Sequence, residues 1–153
     1  MTLDKNRLIE CWQKWNKPKS DYEFTVKLIQ HRWFEHNLDH YSYDLIEKQK
    51  DGITTIYDFI CECSLVVDNV WEDDFFNDDE TLKLVKLTDY DFQQSIRKVF
   101  NRGSVSLIEN DFAQFIDLNK SPDILAIIES WDWSTYVIEY HDKWQFLSID
   151  IIW

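Results

Sequence analysis

The sequence predicts a helix-rich α+β fold, one domain over residues 1–153, with a C-terminal β-hairpin packed on the helices. Three observations lead there. Apolar residues recur at three-and-four spacing through 4–16 and 54–71, the signature of a buried helix face. From Tyr136 onward the chain changes to alternating β-formers. There are only two Gly and two Pro, so the elements must meet through short polar turns. With 44% hydrophobic residues, 16% aromatic and eight Trp, the chain can bury a core.

The first helix covers 4–16, with Leu8, Cys11, Trp12 and Trp15 on one side. Pro18 breaks it. Ser20 and Glu23 form a capping box for a second helix over about 21–37, carrying Phe24, Val26, Leu28, Ile29, Trp33 and Phe34. A short third helix over 43–50 ends before Gly52, a C-terminal cap. In 54–71, Ile56, Ile60, Cys63, Val67 and Trp71 share a face, which places Asp58, Glu62 and Glu72 toward solvent. A short helix near 80–87 follows. Thr88 then caps a helix to about Asn101, ended by Gly103. Residues 104–109 suit a short strand and 110–118 a further helix. Ser121 and Pro122 start another helix, to Ser130, because proline at the first helical position gives up no hydrogen bond. Strands 136–140 and 144–153, joined across His141 to Lys143, make the hairpin.

Charge narrows the partners. The net charge is −13, yet residues 1–50 hold nine Lys/Arg against eight Asp/Glu. All the acidity therefore lies downstream. Such a field repels nucleic acid and anionic membrane and speeds encounter with basic proteins. Direct nucleic-acid binding is disfavoured. The N-terminus lacks an apolar signal segment, and no run approaches the ~20 apolar residues of a membrane span. Cys11, Cys61 and Cys63 show no disulfide framework, which suits a reducing, cytoplasmic setting.

The candidate partner-binding stretch runs from Asp68 to Glu80. Seven of its thirteen residues are acids: Asp68, Glu72, Asp73, Asp74, Asp78, Asp79 and Glu80. Trp71, Phe75 and Phe76 sit among them, and no base does. Carboxylates draw in a cation-rich partner, and rings anchor it once water leaves. Bland alternatives stand beside this: a solvated acidic loop whose rings fold back onto the core, and a Trp131-Asp132-Trp133 triplet that plugs the core instead of adding a second anchor through Trp131 and Asp132. The former is as natural as a binding surface.

Catalytic and metal chemistry find little footing, and neither a cofactor nor an enzymatic activity is expected. Gly52 and Gly103 alone build no phosphate loop, and no Gly-x-Ser-x-Gly elbow occurs. On a helix Cys61 and Cys63 point about 200° apart and cannot chelate together, although His36 and His40 would share a face. The acidic stretch has Asp74 and Phe75 where a calcium loop needs its central glycine.

In its small size, strong acidity, aromatic richness and Trp71–Glu80 cluster, the chain resembles bacterial toxin immunity proteins. The likeness is one of character, without a shared motif or aligned stretch. It implies a cytosolic inhibitor that occludes the cationic active site of a cognate basic toxin, a nuclease being the natural case. The alternative is a nucleic-acid mimic that inhibits a DNA-binding defence system. A mimic wants carboxylates spread along a whole face with few apolar anchors, whereas here acids and rings are interleaved.

Overall fold

In the computed structural model, residues 2–15, 23–36, 39–67, 82–99, 112–129 and 133–152 are described. Their strands are β1 (Lys27–His36), β2 (Asp39–Gln49), β3 (Leu82–Leu87), β4 (Asp123–Glu129), β5 (Trp133–Glu139) and β6 (Lys143–Ile152). They form one six-stranded antiparallel sheet in the order β1-β2-β6-β5-β4-β3. Helices α1 (Lys5–Trp15), α2 (Ile56–Val67) and α3 (Asp89–Val99) pack against it.

This overturns the helix-rich expectation. Within 21–37, 43–50, 80–87 and 122–130, all expected to be helical, residues 27–36, 43–49, 82–87 and 123–129 are strand. The C-terminal pair is the middle of the sheet, flanked by β2 and β4, and is no hairpin laid on a helical body. The physical reason is burial on both faces. Residues 124–128 of β4 and 134–138 of β5 are buried without interruption, so the alternation that marks a half-exposed strand is missing. An unbroken apolar run after Ser121 and Pro122 then looks like a buried helix. Instead Ser121 takes a left-handed φ of 52° and turns the chain into β4.

One face of the sheet carries Ile46, Leu125, Val137, Trp144 and Phe146 under α1 and α2. The opposite face carries Tyr43, Leu45, Ala126, Tyr136, Ile138 and Leu147 under α3 and residues 112–118. Phe59 of α2 stacks on Trp144, and Phe112 meets Tyr43 edge-on. A buried polar knot pins the second layer. Gln145 donates to the carbonyl of Phe115 at 2.8 Å and accepts from the Tyr140 hydroxyl at 2.9 Å. That hydroxyl in turn accepts the N–H of Asp117 at 3.1 Å.

The helix caps follow local rules. Thr88 and Asp91 form a reciprocal capping box at the start of α3, with Thr88 Oγ1 accepting the Asp91 N–H at 3.1 Å. Asp4 caps α1 through the N–H groups of Asn6 and Arg7. Gly52 ends no helix. It sits at φ 76° in the turn from β2 to α2, a conformation that costs glycine nothing.

Candidate functional site

The expected partner-binding residues lie outside the described part of the structure: Asp68, Trp71, Glu72, Asp73, Asp74, Phe75, Asp78, Asp79, Glu80, Trp131 and Asp132. Their flanks are described. Val67, at the end of α2, packs on the first core cluster, and Leu82, at the start of β3, is 6% exposed within it. Leu82 pairs with Ile128, one residue from the end of β4, and β5 begins at Trp133. The downstream anchor of the acidic stretch and both anchors of 130–132 therefore meet at one end of the sheet. No spacing in the sequence announces that.

The expectation that Asp58 and Glu62 face solvent is corrected; Glu72, expected beside them, lies outside the described residues. Glu62 is 2% exposed. Its carboxylate accepts the Thr25 hydroxyl at 3.0 Å and the Val26 N–H at 3.3 Å, tying the approach to β1 onto α2. Asp58 accepts Trp15 Nε1–H at 3.0 Å and the Cys11 thiol at 3.2 Å, tying α1 to α2. Both acids hold the fold together. Cys61 is fully buried as well. Tyr57 and Phe59 to Ser64 are buried, so α2 is enclosed nearly all round.

At the same end of the sheet, the α1/α2 face turns polar. The pairing lines up Thr135, Ser148, Asp44 and His31 in one row across four strands, and Trp133, Asp150, Ser42 and Trp33 in the next. Thr135 Oγ1 is buried without a hydrogen-bond partner. Toward β1 the face opens, and Trp33 is 53% exposed. His31 Nδ1 lies 2.5 Å from Asp44 Oδ1, and His40 Nδ1 lies 3.3 Å from Glu35 Oε1. The Trp33 and His40 rings are 5.2 Å apart and tilted by 39°.

Trp33 was expected on the apolar face of a helix; it is an exposed ring on a hairpin. One sequence signal could have found it. His31 with Asp44 and Glu35 with His40 are complementary pairs placed symmetrically about residues 37–38, as hairpin partners must be.

A carboxylate partner at Nδ1 orients each imidazole and leaves its Nε2 for other contacts. The two pairs stand on either side of Trp33 and do not converge. Among the described residues, no group of three or more His, Cys, Asp or Glu is placed to hold a metal ion. The thiols of Cys11, Cys61 and Cys63 are free and buried. Burial, above all, pushes the Cys61 and Cys63 thiols well up, which makes them poor nucleophiles. A cleft of about 260 Å³ lies between α3 and residues 112–118, lined by Phe92, Ile96, Phe112 and Ile116. Among the described residues, no helix is long and apolar enough to cross a membrane.

No protein-family model matches this chain, and no curated protein or solved structure matches it either.

Proposed function

We propose that this chain is an acidic protein-binding inhibitor of the immunity type, which neutralises a cognate basic toxin by occluding its cationic active site. A nuclease is the natural target, because an enzyme that grips phosphate must present Lys and Arg. The cytosolic location belongs to the same proposal.

The observation that carries it is the concentration of charge between two fixed points. Seven acids and three large rings fall between Asp68 and Glu80. The residues just outside, Val67 and Leu82, are both packed into the core cluster under α1 and α2. The charge is therefore internal to the chain and bounded on both sides by core residues, unlike an acidic tail. Several of the described acids are already engaged. Asp58 and Glu62 are engaged inside the fold, and Glu47 and Glu139 are paired with Lys143 and Lys50.

The test is charge reversal at Asp73, Asp74, Asp78 and Asp79 to Lys. Protection against the toxin should be lost, and association at low salt should slow by about tenfold or more. Unchanged affinity and rate would remove the proposal. A nucleic-acid mimic separates cleanly: it would displace DNA from unrelated DNA-binding proteins, which a dedicated inhibitor does not.

A further inference from the structure

We infer that the open end of the β1–β2 face is a docking surface for a lysine- or arginine-bearing segment of a basic protein, with Trp33 as its anchor. This rests on the reading of the chain as an inhibitor of a basic partner. It names a second place where that partner is held, in a part of the chain whose overall charge is near neutral.

Trp33 leaves 53% of its surface in water on a sheet whose central strands are otherwise buried. A large ring stranded in the open beside polar neighbours is the arrangement of a binding hot spot. His40 braces the ring from one side at 5.2 Å, so it stands as a fixed platform. The surroundings select the partner's charge. The register puts Glu35, Asp44 and Asp150 on the same face as Trp33, with Glu35 also contacting His40 and Asp44 also contacting His31. Among the described residues, no Lys or Arg shares that half of the face. Lys27 and Arg32 alternate to the other side of β1, across from Glu47 and Tyr43. Lys48 lies at the far end, bonded to Thr25 and Asp51. An indole face attracts a guanidinium or ammonium group, and neighbouring carboxylates can take its N–H donors.

Charge also decides against a second copy of this chain. A two-fold contact sets a patch against itself, so Glu35, Asp44 and Asp150 would face their own duplicates on two molecules each carrying −13. A nucleic acid or an anionic membrane meets the same repulsion.

The test uses the full-length protein labelled with ¹⁵N and titrated at low salt with hexa-arginine, reading the indole N–H resonances. The Trp33 resonance is identified by its loss in Trp33→Phe. It should shift saturably with hexa-arginine and stay still with hexa-glutamate. Trp33→Ala should weaken binding about fivefold, Trp33→Phe much less, and Glu35→Lys roughly tenfold. Trp33 and Glu35 are exposed, so all three variants should keep the parent's thermal midpoint. Peptide binding with the Trp33 resonance unmoved and affinity unchanged in the variants overturns the docking surface, while the inhibitor reading survives. Loss of protection is read separately, through the reversed acids of 68–80. A concentration-dependent doubling of mass that Glu35→Lys abolishes would make the face a contact between copies, which also overturns the inference.

Discussion

The carboxylate of Glu62 accepts hydrogen bonds from both the backbone N–H and the hydroxyl of Thr25, a residue 37 positions away in the chain. Lys48 completes the arrangement by donating to the same Thr25 hydroxyl at 2.8 Å. A carboxylate taken out of water on a core helix is tolerated only because charge-assisted hydrogen bonds replace its hydration. Here those bonds also join α2 to the start of the outermost strand. Glu62→Ala should therefore cost about 2 kcal/mol of unfolding free energy, since it strands the donors of Thr25 and Val26. Glu62→Gln, which keeps one carbonyl acceptor, should cost less. Urea unfolding midpoints check the order.

Asp58 predicts an acid response. Burial raises its pKa, but hydrogen bonds from Trp15, Cys11 and Thr55 outweigh that and hold the carboxyl below its ordinary 3.8. A folded pKa below the unfolded one means stability that is present above that value and lost as pH falls through the folded one. Asp51 acts in the same direction. The Thr54 N–H and hydroxyl and the Ile53 N–H hold it far below the ordinary range. Thermal midpoints should drop as pH is lowered below about 4. Asp58→Asn should be less stable than the parent at neutral pH and show a shallower acid slope. An unchanged slope would contradict the network drawn around Asp58.

The stack of Phe59 on Trp144 joins α2 to the centre of the sheet, with centroids 5.5 Å apart and planes 28° from parallel. Phe59 is fully buried. Phe59→Ala should cost about 3–5 kcal/mol, the range for emptying an aromatic site in a core. Phe59→Leu should recover more than half of that loss. Calorimetry of the three proteins gives the comparison.

The three thiols predict a reactivity pattern. Cys11, Cys61 and Cys63 are buried, and burial pushes the thiols of Cys61 and Cys63 well above the ordinary range. Folded protein should leave a thiol-specific reagent almost unreacted at neutral pH, and three equivalents should appear on unfolding in urea. A fast equivalent in the folded protein would show that α1 opens from α2 at Cys11.

Part of this molecule could be read without coordinates because the governing interactions are local. The positions of α1 and α2 and the buried side of α1 come from spacing, the cap of α3 from Thr88, and the β5–β6 turn from residues three apart. Charge partition is likewise a property of the chain itself, readable before any fold is known. The hairpin of β1 and β2 was missed for an identifiable reason. A bulge between Leu28 and Gln30 breaks its alternation, and the apolar spacing that remains mimics a helix.

Left to itself, then, the sequence determined a folded, strongly acidic chain with an aromatic core and three of its helices. Only the tertiary structure decided that the described rest is largely a single antiparallel sheet whose central strands are enclosed on both sides, and that two acids of α2 serve the core. It also decided that Trp33 stands in the open. The reason is distance along the chain. Gln145 reaches Glu47 across 98 residues, and what a side chain faces at such separation depends on which strands become neighbours. Local pattern carries no record of that choice.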